Sequence, residues 1–135
     1  MPQVEHVLPG AEKPYTEAAM GNQARKGFYL SAIAHCMECH TPMEKDARQW
    51  DTRLGAGGFE FPGPWGVSVS RNITSSKTKG IGEWSDAEIK RAITQGIRKD
   101  GSPLKPPMGY PYYARMTEAD LDAIVAWLRT VPARD

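Results

Sequence analysis

Small and apolar residues recur at helical spacing in three stretches of the chain. In the first stretch, small side chains return every three or four residues between Met20 and Ala34, beside the larger Phe28 and Leu30. This spacing predicts a helix that starts near residues 16–21 and runs on toward Cys36. Because one of its faces is small, another helix can approach it closely. We expect the last helix of the chain to cross that face.

The second predicted helix has a clear start and a clear end. Residues 85–88 read Ser-Asp-Ala-Glu, which is a capping box. Ile89, Ala92 and Ile93 then form one apolar stripe, and Gly96 is placed to end the helix as a left-handed cap. These signals predict a short amphipathic helix near the middle of the chain.

The third predicted helix begins in the same way near the C terminus. Thr117 is placed as its N-cap, and Met116 faces Leu121 across the cap as a hydrophobic staple. From Leu121 to Leu128 the apolar residues follow the i, i+3, i+4, i+7 pattern of one buried face. The three helices together predict a mainly α fold.

Long irregular segments connect these helices. The chain holds 13 glycines and 11 prolines in 135 residues, and most of residues 41–83 lack a regular period. A loop this long in a compact domain needs an explanation, and wrapping around a flat cofactor supplies one. Residues 67–69 are expected to form a short extended piece. The length predicts one domain at 15–135, preceded by an extended N-terminal arm at 1–14.

The strongest chemical signal is the sequence Cys36-Met37-Glu38-Cys39-His40. Its C-x-x-C-H spacing is the one by which a c-type haem is attached covalently. The two thiols are spaced to add across two vinyl groups of one porphyrin, and the adjoining imidazole is then placed beneath the iron. The motif predicts one haem c, bonded through Cys36 and Cys39 and ligated by His40.

Two other interpretations use the same residues. The two cysteines are the only ones in the chain, and a disulfide between them closes a ring too short to stabilise much and gives His40 no role. A structural zinc site needs four ligands, and no second pair of Cys or His follows His40. Haem attachment is the interpretation that uses all three residues.

The second axial ligand of the iron decides between a carrier, a sensor and an enzyme. Among six methionines, Met108 follows Pro106-Pro107 between two predicted helices, on a stiff extended backbone with no helical role. A thioether ligand raises the haem potential and leaves no open iron position. The alternatives are that Met108 fills a gap in a loop, or that His6 in the arm or His35 beside the anchor is the ligand.

Haem propionates need polar partners where they are partly buried. Asn72 and Trp65 are candidate donors, although a turn at Asn72 and core packing of Trp65 account for these residues equally well. For Arg71 and Trp84 we favour a solvated side chain and a helix staple, respectively.

Four segments resemble one family of proteins. They are Asn72-Ile73-Thr74, residues 80–86, Pro106-Pro107-Met108 and residues 120–129. With C-x-x-C-H at the end of a first helix, they resemble class I cytochromes c. More narrowly, they look like the haem domains of cytochrome subunits that serve periplasmic alcohol dehydrogenases and molybdenum hydroxylases. Two features depart from that pattern: Ser75 stands where the family usually has Pro, and this chain carries one haem motif where such subunits often carry two or three.

The resemblance implies a class I cytochrome c fold, with three or more helices and long loops wrapped around one covalently bound haem. It also implies His40 and Met108 as the axial ligands, Cys36 and Cys39 as the thioether anchors, and a dehydrogenase as electron donor. The expected function is a monohaem carrier of single electrons from a periplasmic dehydrogenase to an oxidase or another cytochrome. The alternative function is a haem-based sensor in which a small ligand displaces Met108.

Composition and charge narrow the remaining functions. The formal net charge of +1 and the lack of a basic stripe argue against nucleic-acid binding, and no apolar run is long enough for a membrane span. We do not expect an enzyme, because no His lies near Met108 to act as a distal acid or base. Haem is attached to such motifs outside the cytoplasmic membrane, so we expect a periplasmic protein whose signal peptide has been removed.

Overall fold

The computed structural model describes residues 8–135 and is mainly helical over this range. Two small antiparallel hairpins interrupt the helices, β1 with β2 and β3 with β4. The elements are α1 (Glu17–Met20), α2 (Gln23–Ile33), α3 (Cys36–His40), β1 (Met43–Glu44), β2 (Ala47–Arg48), α4 (Trp50–Arg53), β3 (Glu60–Gly63), β4 (Gly66–Val69), α5 (Asp86–Gln95), α6 (Tyr110–Tyr113) and α7 (Glu118–Leu128). The predicted mainly α class is confirmed.

The predicted first helix is divided into three pieces. Gly21 ends α1, and the Asn22 side chain caps α2 by accepting a hydrogen bond from the Arg25 N–H at 3.0 Å. Between α2 and α3, His35 adopts a left-handed backbone with φ 60°. Since this conformation interrupts the helix, the C-x-x-C-H motif forms a helical turn of its own.

The small face of α2 packs against α7, as predicted. A Cβ atom built on Gly27 would lie 1.8 Å from the carbonyl oxygen of Ala123, so the two backbones touch where glycine leaves room. On α7, Leu121, Ile124 and Leu128 are buried, and each such side chain contributes about 1.5–3 kcal/mol when fully buried. Met20 is 46% exposed and lies outside this interface.

The predicted capping signals are also confirmed. Ser85 and Glu88 form a reciprocal capping box at the start of α5, with distances of 3.1 and 2.9 Å. Gly96 ends α5 with a left-handed φ of 67°. The Thr117 side chain accepts a hydrogen bond from the Asp120 N–H at the start of α7.

The irregular region contains more structure than predicted. Residues 67–69 lie in β4, which pairs with β3, and a further hairpin and the short α4 precede them. Leu8 is buried in the core, so the chain already packs against the domain at residue 8. His6 and the rest of residues 1–7 lie outside the described residues, and the boundary between arm and domain stays a prediction. None of the helices within residues 8–135 has the length and apolar character needed to cross a membrane.

Candidate functional site

A cavity of about 440 Å³ opens between the anchor motif and the segment that precedes α6. The structure brings five predicted residues to its walls: Cys36, Cys39 and His40 of α3, Asn72, and Met108. Trp65 does not line it. Apolar side chains such as Ile73, Ile93 and Leu104 form much of the remaining wall, so the cavity suits a largely apolar ligand.

His40 is held in one orientation by the main chain. Its Nδ1 lies 2.7 Å from the carbonyl oxygen of Arg71. A carbonyl can only accept, so Nδ1 carries the proton and the lone pair is on Nε2. Burial lowers the pKa of His40, which favours the neutral imidazole that ligates a metal. No sequence pattern indicates this contact, because the acceptor is a backbone atom 31 residues away.

Both cysteines are partly buried in the cavity wall. Burial raises the pKa of the Cys36 thiol to about 12 and also raises the pKa of Cys39. Within residues 8–135, no group of three or more His, Cys, Asp or Glu side chains could hold a metal ion. The geometry therefore gives no support to the zinc interpretation.

Arg48 supports the anchor motif from outside the cavity, a role that the sequence did not indicate. Its guanidinium donates to the carbonyl oxygen of Glu38 and, at 3.5 Å, to that of Thr41. It also lies 5.8 Å from the ring centroid of Trp50 and 5.3 Å from that of Phe59. The carbonyls at the end of α3 are thereby satisfied, which keeps the short helix in place.

Two thioethers reach the cavity. Met108 follows a turn at Pro106 and Pro107, rather than the extended backbone that we predicted, and is partly buried. Met116 also lines the cavity while packing against the core. Met37 is fully buried in the core, and Met20 and Met43 are exposed. The choice of a thioether ligand therefore lies between Met108 and Met116 for the residues that the structure describes.

Of the two histidines considered as alternative ligands, His35 is described. It lines the cavity, but its side chain is 72% exposed and its Nδ1 lies 3.9 Å from a carboxylate oxygen of Glu38.

The polar atoms of the Asn72 and Trp65 side chains form hydrogen bonds with the protein's own main chain. The amide nitrogen of Asn72 donates to the carbonyl oxygen of Arg134, and its oxygen accepts from the Thr74 N–H at 2.9 Å. The indole N–H of Trp65 donates to the carbonyl oxygen of Phe61 at 3.1 Å. Asn72 thus forms a turn and a link to the C-terminal segment, and Trp65 stabilises its own hairpin.

Arg98 is a more suitable partner than Asn72 or Trp65 for an acidic group in the cavity. It lines the wall together with Lys79 and Lys105. Its Nη1 donates to the Ser102 hydroxyl at 3.2 Å, whereas its Nε is buried with no hydrogen-bond partner among residues 8–135. The guanidinium brings a positive charge to the cavity wall, so Arg98 suits a carboxylate of a bound ligand. An apolar cavity with cations at its wall matches a porphyrin with two propionates.

Comparison with known proteins agrees with this chemistry. The sequence profile of the family described as Cytochrome c matches residues 24–132. The chain is 38% identical over 117 residues to the cytochrome c subunit of the quinone-dependent alcohol dehydrogenase of Gluconacetobacter polyoxogenes, covering 87% of this chain and 23% of the relative. It is 36% identical to the fructose dehydrogenase cytochrome subunit of Gluconobacter japonicus, again covering 87% of this chain and 23% of the relative.

A third relative is named as a subunit of a different dehydrogenase. It is a subunit of the nicotinate dehydrogenase of Pseudomonas putida, 33% identical over 119 residues, covering 85% of this chain and 9% of the relative. The chain thus spans less than a quarter of the length of these relatives. The profile match extends over most of the chain and includes the anchor motif and α7. This chain belongs to the cytochrome c family.

Proposed function

We propose that this chain is a class I cytochrome c domain that holds one haem c and carries single electrons from a dehydrogenase to a downstream acceptor. One observation carries the proposal: Cys36, Cys39, His40 and Met108 line the same cavity. These residues supply two sulfurs for covalent attachment, one imidazole and one thioether. Covalent attachment of a haem with one His and one Met ligand uses all four of these residues.

Each residue has a defined role in this proposal. Cys36 and Cys39 hold the porphyrin through thioether bonds, and His40 ligates the iron through Nε2. The Arg71 carbonyl keeps the proton of His40 on Nδ1, so Nε2 stays available. Met108 would supply a thioether as the second ligand to the iron, and Arg98 would neutralise a propionate. When bound, the haem supplies a reversible one-electron couple.

The partners follow from the relatives. These are named as cytochrome subunits of alcohol and fructose dehydrogenases. We propose a dehydrogenase as donor, an oxidase or another cytochrome as acceptor, and the periplasm as the compartment. In this proposal the chain has no catalytic residues of its own and serves a dehydrogenase that oxidises the substrate.

The test of the axial ligand is spectroscopic and uses the two methionines of the cavity. In the oxidised haem protein, the weak far-red charge-transfer band of ferric haem bound to methionine sulfur should be present. Met108→Ala should abolish it, and Met116→Ala should keep it. Loss of the band in the Met116 variant alone would assign the ligand to Met116 and contradict the proposal.

Two further measurements test the cofactor and the carrier function. Pigment that acidified organic solvent extracts would contradict covalent attachment through Cys36 and Cys39. Carbon monoxide separates the carrier from the sensor, because a reduced carrier with a stable Met ligand should bind it poorly. Rapid saturation at neutral pH would support the sensor instead.

A further inference from the structure

We propose that Tyr113 is a positioning residue that holds the Met108 segment against the helix leading to the haem anchor, through a hydrogen bond from its hydroxyl to the Ala34 carbonyl. This inference deepens the proposed function and rests on Met108 as the axial ligand. The bond joins residues 79 positions apart in the chain. It thus connects the two walls of the cavity that carry the proposed ligands.

The acceptor lies close to the anchor. Ala34 is the C-cap of α2, two residues before Cys36. Carbonyls in the last turn of a helix lack partners within the helix, so an outside donor is needed to satisfy them. The Tyr113 hydroxyl fills this need at 2.8 Å. Tyr113 also lines the cavity together with Cys36 and Met108.

The donor is linked to Met108 through the main chain. The N–H groups of Tyr112 and Tyr113 both donate to the carbonyl oxygen of Gly109, at 3.0 and 3.2 Å, immediately after Met108. The short α6 is therefore continuous with the Met108 segment. A displacement of Met108 away from the cavity pulls on α6 and on the Tyr113 hydroxyl.

Contacts on both sides of Met108 attach the segment to α5, through Leu104 before it and through Tyr110 of α6 after it. The Leu104 N–H donates to the Gly96 carbonyl at 2.7 Å, and the ring of Tyr110 packs on Gly96, where a Cβ atom would come within 2.6 Å of it. Between these attachments, Lys105, Pro106 and Pro107 are exposed. The hydroxyl of Tyr113 ties this segment to the end of α2 as well.

Tyr113→Phe removes the hydroxyl and keeps the ring, and Tyr112→Phe is the matched control because Tyr112 is 80% exposed. Imidazole is titrated into each oxidised haem protein, and displacement of Met108 is followed by loss of the far-red band. Loss of one neutral hydrogen bond that exists only while Met108 is bound should raise the apparent imidazole affinity about fivefold. The Tyr112→Phe protein should match wild type within about twofold.

An unchanged imidazole affinity in the Tyr113→Phe protein would overturn the proposal. If thermal stability falls while this affinity is unchanged, the hydrogen bond stabilises the fold but does not hold Met108 in place. A band that persists in Met108→Ala would instead refute the ligand assignment of the proposed function. The two failures are therefore distinguishable.

A second measurement needs no variant. Amide hydrogen exchange of the wild-type haem protein is compared with and without saturating imidazole. Amide exchange at Tyr112 and Tyr113 should accelerate, because both amides lie in α6, which should shift when imidazole displaces Met108. Amides of α2 should stay protected. Unchanged exchange at these two amides, with the far-red band lost, would overturn the proposal.

Discussion

The imidazole of His40 is oriented by the carbonyl oxygen of Arg71, which lies 2.7 Å from Nδ1. This contact joins the anchor helix α3 to the segment that follows β4. It sets the tautomer of the imidazole, because the carbonyl accepts the Nδ1 proton. The side chain of Arg71 takes no part in the bond.

The first prediction follows from this use of the main chain. Arg71→Ala should leave the His40 contact intact, because every residue at this position supplies the same carbonyl. In the reduced, diamagnetic haem protein, the Nδ1 proton of His40 should give a slowly exchanging resonance in ¹H–¹⁵N spectra. The resonance should persist in the Arg71→Ala protein. Its loss in that variant would show that the guanidinium, not the backbone, controls the ring.

The second prediction concerns the contact of α2 with α7. Gly27→Ala places a Cβ atom 1.8 Å from the Ala123 carbonyl oxygen and 2.8 Å from the Trp127 Cβ. Backbone cannot retreat as a flexible side chain can, so the helices must separate. The free energy of unfolding should fall by about 2–4 kcal/mol, measured by urea denaturation.

Gly21→Ala is the control for this change. A Cβ atom there meets its nearest neighbour, the Ala18 carbonyl oxygen, at 3.6 Å, and φ is −74°. Because alanine fits this conformation, stability should stay the same or rise by up to about 1 kcal/mol. Equal effects of the two substitutions would refute the close approach of α2 and α7.

The third prediction concerns Asn72, which the structure connects to the C-terminal segment. Asn72→Ala leaves the N–H of Thr74, a fully buried residue, without its acceptor and removes the donor to Arg134. The free energy of unfolding should fall by about 1–3 kcal/mol, and the haem potential should stay nearly unchanged. Thr52→Ala on the exposed face of α4 is the control and should change stability by less than about 0.5 kcal/mol. A shifted potential with unchanged stability would instead support Asn72 as a propionate donor.

The elements that the sequence predicted depend on local patterns. The capping box at Ser85 and the cap at Thr117 act over three residues, and the pairing of α2 with α7 follows from a small face and an apolar face. Cys36, Cys39 and His40 form one motif, so they could be found without a fold.

The features that the sequence did not predict depend on contacts between distant segments. The acceptor for His40 is a main-chain oxygen, and the partner of Asn72 is 62 residues away. In the sequence, nothing distinguishes Arg48 from an ordinary exposed cation, because its two carbonyl acceptors are known only from the folded structure. Arg98 looks like one of several scattered surface charges, because nothing local indicates that its Nε is buried in the cavity wall.

The fourth prediction tests Arg98 as a propionate partner. Arg98→Gln removes a positive charge from the cavity wall, which disfavours the reduced state of the iron. The reduction potential should fall by about 40 mV, corresponding to roughly 1 kcal/mol of lost charge interaction for a one-electron couple. Arg91→Gln, on an exposed position of α5 outside the cavity wall, is the control with the same change in net charge. Equal shifts in the two variants would show that Arg98 acts through overall charge alone.

The last prediction is a pH dependence at the start of α5. The Ser85 N–H donates to the Glu88 carboxylate and holds its pKa below the ordinary value of 4.5. A carboxyl whose pKa is lower in the folded state contributes stability above its unfolded pKa and loses that contribution as the pH falls through the folded value. In Glu88→Gln the side-chain oxygen still accepts from Ser85 but carries no charge. Wild type should therefore be more stable than Glu88→Gln near pH 7, and the difference should shrink below about pH 4.5.

Urea denaturation near pH 7 and below about pH 4.5 measures this difference in the free energy of unfolding. Glu60→Gln, at an exposed position of β3, is the control for the change in net charge. A difference that grows toward low pH would contradict the capping box as its source.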